Sequence, residues 1–140
     1  NLMKNILLLC TGNSCRSQMA HGYIQHYCQN KANIYSAGIE VHSVNKMAIE
    51  VMKEDGIDIS VNTSNNINEY ISVNFDYIIT VCDHANENCP FIPSTNAIRI
   101  HQNFSDPSKS DLLGLERKEN FILVRNEIKN FCRNFVNDNF

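Results

Sequence analysis

Eight consecutive residues have the composition needed to hold an oxyanion. Cys10-Thr11-Gly12-Asn13-Ser14-Cys15-Arg16-Ser17 follows a short apolar run and precedes an amphipathic segment, so it leaves a strand and enters a helix. Backbone N–H groups in such a loop converge on an anion and add the positive end of the helix dipole. Gly12 is expected to allow a backbone geometry that other residues resist. Arg16 can fork two parallel donors onto two oxygens of a tetrahedral anion. The same field favours thiolate over thiol at Cys10, which makes it the candidate nucleophile. Ser17 is placed to donate a hydrogen bond to that sulfur. Thr11, Asn13, Ser14 and Cys15 complete the loop that would wrap the substrate, and Cys15 could trap Cys10 as an off-path disulfide. The bland alternative is a buried strand-end cysteine beside a surface arginine. The order of strand, turn residues and helix is what favours chemistry.

A second pair, Cys82 and Cys89, encloses the polar stretch Asp83-His84-Ala85-Asn86-Glu87-Asn88. The stretch is long enough to close a disulfide and polar enough to leave the sheet. Zinc is the competing reading, with His84 and His101 available. The spacing is wide for a metal knuckle, however, and there is no second well-spaced pair. Asp106-Pro107 supplies a carboxylic acid that could protonate a leaving oxygen, although Asp-Pro is also an ordinary turn. Cys28 and Cys132 fall on helical stripes and read as small core residues.

These residues must be positioned by alternating elements. Lys4 to Leu9, Asn33 to Ala37, Asp76 to Val81 and Ala97 to His101 read as strands. Ser17 to about Gln29, Asn45 to Glu54 (with Asn45 as cap and Gly56 as stop) and about Lys118 to Val136 read as helices. The last carries Phe121, Val124, Ile128, Phe131 and Phe135 on one stripe. The alternation predicts a single α/β domain: a four-stranded, mainly parallel sheet flanked by helices on both faces. Ligands in such folds lie beyond the carboxyl ends of the strands. Residues 10–17, 82–89 and 101–107 are therefore expected on one face.

The 140 residues carry a formal net charge of −3, which argues against a nucleic-acid binder and requires any anion site to be built locally. No stretch approaches the apolar length of a membrane span, and the run through Leu9 is too short for a signal-peptide core. Asn1 and Leu2, ahead of Met3, read as vector-derived, leaving one catalytic domain over residues 3–140. The cysteines suit a reducing cytoplasm, and nothing demands more than a monomer.

Cys-Thr-Gly-Asn-Ser-Cys-Arg-Ser-Gln-Met-Ala from Cys10 resembles the signature of the low-molecular-weight tyrosine phosphatase superfamily, and specifically its thioredoxin-coupled arsenate reductases. Tyr35-Ser36-Ala37-Gly38-Ile39-Glu40, Met52-Lys53-Glu54, Gly56-Ile57-Asp58-Ile59-Ser60 and Val124-Arg125-Asn126-Glu127-Ile128 extend the likeness along nearly the whole chain. The resemblance implies a three-thiol relay. Cys10 attacks arsenate, Cys82 attacks Cys10 and expels arsenite, and Cys89 attacks Cys82. Thioredoxin, as external reductant, then opens the Cys82–Cys89 disulfide. It also implies Asp106 as general acid, no bound cofactor, and phosphate or sulfate as mimics of the substrate.

Two departures stand out. Many such reductases carry acidic residues where this chain has His21 and Asn65, at a potassium site that also uses the counterparts of Asn13, Ser36 and Thr63. Weak or absent potassium binding is therefore expected. Two other functions share the loop: a phosphatase that forms a phosphocysteine on Cys10, and a non-enzymatic oxyanion or redox sensor. The residues Ser108-Lys109 after Asp106-Pro107 offer no aromatic flank for a phenyl ring, and Arg16 with Asp106 favours turnover over storage.

Overall fold

The computed structural model describes residues 3–94 and 96–140; Asn1 and Leu2 lie outside the described residues. Strand β1 (Lys4–Cys10) is buried from Ile6 to Cys10. Its uninterrupted apolar run is what a strand covered on both faces requires. Strand β2 (Ala32–Gly38) lies on one side of it and β3 (Tyr77–Thr80) on the other, with β4 (Ile98–His101) beyond β3. All three pairings are parallel, so the sheet is wholly rather than mainly parallel. Helices α1 (Arg16–Cys28), α2 (Lys46–Glu54), α3 (Asp83–Glu87) and α4 (Gly114–Asn139) flank it.

The register brings the working segments together. Cys10 is opposite Gly38, Leu9 opposite Thr80, and Thr80 opposite His101. The strands thus end level, and the segments that follow β1, β3 and β4 leave one edge, as expected.

Local signals explain most boundaries. Asn45 Oδ1 accepts from the N–H groups of Met47 and Ala48 at 2.9 and 3.1 Å, which starts α2. Helix α4 is longer at both ends than its apolar stripe indicates. Residues 114–116 and 137–139 are exposed and so carry no periodic signal. Besides the 3-10 turn Pro107–Lys109, two elements escape a periodicity reading altogether. One is the 3-10 turn Ile67–Tyr70, started by a capping box between Asn66 and Glu69. The other is α3, where a loop was expected.

Candidate functional site

Cys10 ends β1 with its side chain buried, and α1 begins at Arg16. The loop between them is held by a second segment running alongside it. Ile39, Glu40, His42 and Asn45 donate backbone N–H groups to the carbonyls of Cys10, Thr11, Gly12 and Ser14 at 2.9–3.2 Å. With its carbonyls tied outward, the loop is free to turn N–H groups inward. Cys15, the residue capping α1, makes no side-chain cap, and no acidic residue occupies the first turn. The orphan donors of α1 thus remain available to an anion.

The left-handed residue of the loop is Asn13 (φ 51°) and not Gly12, correcting the expectation for that glycine. Asparagine tolerates this geometry. Gly12 instead leaves room for the exposed His42 ring. The glycine that cannot be replaced is Gly38, across from Cys10. A Cβ there would clash with the Glu40 carbonyl and lie 2.8 Å from the Asn13 nitrogen.

A chain of hydrogen bonds fixes the polarity beneath Cys10. The backbone N–H of Asn65 donates to Asn13 Oδ1 at 2.9 Å, so Asn13 turns its amide nitrogen toward Ser17. That nitrogen donates to Ser17 Oγ at 2.8 Å. Ser17 Oγ lies 2.9 Å from Cys10 Sγ and, with its oxygen already accepting, has its own proton to give the sulfur. Asn13 and Ser17 are fully buried.

Arg16 is anchored at two points. Its Nη1 donates to the Phe104 carbonyl at 3.1 Å, and its Nη2 lies 3.4 Å from Asp106 Oδ2. Phe104 is itself anchored by its ring, which packs edge-on against Phe131 of α4 at 5.8 Å. Asp106 is held by Ser108, whose N–H and hydroxyl donate to Oδ1 at 2.9 and 2.6 Å. Cys10, Thr11, Gly12, Ser14, Cys15, Arg16 and Asp106 surround one cavity of about 260 Å³, rimmed by Glu40, His42, Ser108 and Lys109. Asn13 and Ser17 support its floor from below. An anion here would meet the sulfur of Cys10, the guanidinium of Arg16 and the carboxyl of Asp106.

Burial, with the charges of Asp106 and Cys10 nearby, pushes the Cys15 thiol up to about 12. It stays protonated at neutral pH and makes a poor trap for Cys10. Cys82 caps α3, accepts the Ala85 N–H at 3.4 Å, and lies 3.4 Å from the Thr11 hydroxyl, one residue from Cys10. Cys89 is set apart. It is half-buried in a separate cavity of about 260 Å³ with Thr80, Asn86, Arg99 and His101, and burial raises its thiol. Cys28 and Cys132 are core residues, as expected. Among the described residues, no group of three or more His, Cys, Asp or Glu side chains gathers as a metal site would.

Five positions here went unread in the sequence as parts of the site. Asn65 and Phe104 act through backbone groups that leave no trace in residue type. Glu40 and His42 form a rim 30 residues downstream of the loop. Gly38 was legible only as the end of a strand.

With this fold and this site, the chain belongs to the low molecular weight phosphotyrosine protein phosphatase family, whose profile matches residues 5–138. Within that family its relatives are more specific. It is 46% identical over 133 residues to an arsenate reductase of Halalkalibacterium halodurans, covering 95% of each chain. It is equally identical to arsenate reductase 1 of Staphylococcus epidermidis, covering 95% of this chain and 96% of that one. A solved arsenate reductase in a phosphate-binding state superposes with a TM-score of 0.79 at 31% identity, covering 97% of this chain and 98% of that one.

Proposed function

We propose that this chain reduces arsenate to arsenite through Cys10, Cys82 and Cys89. The observation that carries the reading is the placement of Cys82 against the hydroxyl of Thr11, beside an oxyanion cavity that holds Cys10. A phosphatase needs only the cavity. A second thiol at its back gives the intermediate another way out.

In this reading the Cys10 thiolate bonds to arsenic(V), and Asp106 gives a proton to the departing oxygen, which leaves as water. Thr11 to Ser17 and the Arg16 fork hold the remaining oxygens. The Cys82 thiolate then attacks Cys10 sulfur. The sulfur–arsenic bond breaks with its electron pair on arsenic, releasing arsenite as arsenic(III) and leaving a Cys10–Cys82 disulfide. Cys89 attacks Cys82 and frees Cys10 as thiolate, a good leaving group. A thioredoxin dithiol reduces the Cys82–Cys89 bond. The protein works as a monomer in the cytoplasm, without a bound cofactor. Its potassium binding is weak or absent, since His21 Nδ1 is engaged by Ser36 Oγ at 2.8 Å and Asn65 by Thr63 and Glu69.

The relay demands a conformational change. Cys82 and Cys89 lie beyond the two ends of α3, whose five helical residues alone span about 7.5 Å, whereas a disulfide brings Cα atoms to about 4.4–6.8 Å. Helix α3 must therefore unwind. It is built to do so: of its five residues only Ala85 is buried. The phosphatase alternative is disfavoured by the cavity wall, whose lining contains no Phe, Tyr or Trp among the described residues.

Arsenate, thioredoxin, thioredoxin reductase and NADPH together test the proposal. Steady NADPH consumption by the native protein, lost in Cys89→Ser, is expected. Consumption that does not depend on arsenate, or strong aryl-phosphate hydrolysis in its place, would overturn it.

A further inference from the structure

Thr11 Oγ1 touches two groups. It lies 3.4 Å from Cys82 Sγ and 3.1 Å from His84 Nδ1, so one hydroxyl bridges a thiol and an imidazole. We propose that His84 is a positioning residue that draws the proton from Cys82 through the Thr11 hydroxyl. This rests on Cys82 being the thiol that attacks Cys10.

The proton balance is simple. Cys82 S–H donates to Thr11 Oγ while Thr11 O–H donates to neutral His84 Nδ1. A concerted shift leaves Cys82 as thiolate, restores the Thr11 hydroxyl with its proton toward sulfur, and makes His84 imidazolium. In the shifted state the sulfur receives two donors, Thr11 O–H and the Ala85 N–H. His84 is exposed, so its proton passes on to water. Its position is fixed by its place in the first turn of α3, where its carbonyl accepts from Asn88 N–H and Nδ2 at 3.0 and 2.8 Å.

The neighbouring titratable groups leave the ring free for this task. Asp83 on α3 is paired with His101 of β4 at 2.7 Å, and Asp106 with Arg16. Glu87 on α3, Cys10 and Cys15 in the loop, and Glu40, His42 and Lys109 on the cavity rim form no hydrogen bond or ion pair with His84. The relay has a further consequence. Unwinding α3 carries His84 away from Thr11, so the activation is available before Cys82 is oxidised and withdrawn afterwards.

Two measurements test it. In a Cys10→Ser background, Cys82 alkylation is followed from pH 5 to 9 by mass spectrometry of each cysteine. With His84 present, the rate should climb with pH along a limb that depends on the imidazole, and then level. His84→Ala should remove that limb and lower the rate at pH 7 about tenfold or more. His84→Gln, which can still accept from Thr11, should behave like His84→Ala, and Thr11→Val should do the same with His84 intact. Superimposable profiles for the parent and both His84 variants would overturn the relay. In a Cys89→Ser background, single-turnover arsenite release should slow by the same factor in His84→Ala. Absence of arsenite release with His84 intact would overturn the arsenate-reductase reading and not the relay. The labelling arm, which uses no arsenate, separates the two failures.

Discussion

Asn65 donates one backbone N–H, and that donor orients three side chains down to the sulfur of Cys10. The replacement Asn13→Asp isolates this effect, because it keeps the shape and the Asn65 contact but removes the donor to Ser17. Ser17 would then give its proton to the carboxylate and leave the sulfur without it. A hydrogen bond to a charged group is worth about 1.5–3 kcal/mol, so Cys10 alkylation at pH 7 should fall roughly 10- to 100-fold. An unchanged rate would show that the chain of donors is idle. His21 makes a second residue-scale prediction. Burial lowers it from an ordinary 6.5 to about 4, so the folded protein holds it neutral while the unfolded chain protonates it. Stability from this group is therefore present above pH 6.5 and is lost as pH falls toward 4, by up to about 3 kcal/mol. Denaturant titrations of His21→Gln should show a smaller loss across that interval than the parent; equal losses would contradict it. Cys10 and Arg16 were legible in the sequence because their roles depend on neighbours within one loop. Asn65, Gly38 and Phe104 were not, since each acts by a backbone approach that only the folded sheet creates.

At the scale of elements, the strands and the three long helices follow from apolar runs, a cap at Asn45 and a stop at Gly56. Helix α3 does not, because Asp83-His84-Ala85-Asn86-Glu87 is too short and polar to show a helical period. Its stability comes from ties to other elements: His101 Nε2 donates to Asp83 Oδ1 at 2.7 Å, and the Asp83 N–H donates to Asn103 Oδ1 at 2.9 Å. These contacts hold one end only. Hydrogen exchange should therefore find the amides of Asn86 and Asn88 less protected than those of β3 in the reduced protein. Both should lose protection entirely when Cys82 and Cys89 are joined. Retained protection in that disulfide form would mean that the helix survives oxidation, against the geometry of its ends.

The whole molecule is acidic, yet its cavity is built for an anion. Only the parallel register resolves this, because it gathers residues 10–17, 82–89 and 101–107 at one edge of the sheet. That convergence was legible from alternation alone, whereas the separation of Cys89 into its own cavity was not. The central claim is that Cys10, once bonded to the oxyanion, is released by Cys82 and not by water. It is tested most directly in Cys89→Ser, where the relay must halt after one step. One equivalent of arsenate should yield one equivalent of arsenite and, by non-reducing peptide mapping, a Cys10–Cys82 disulfide. Recovery of both thiols unoxidised, with no arsenite formed, would contradict it.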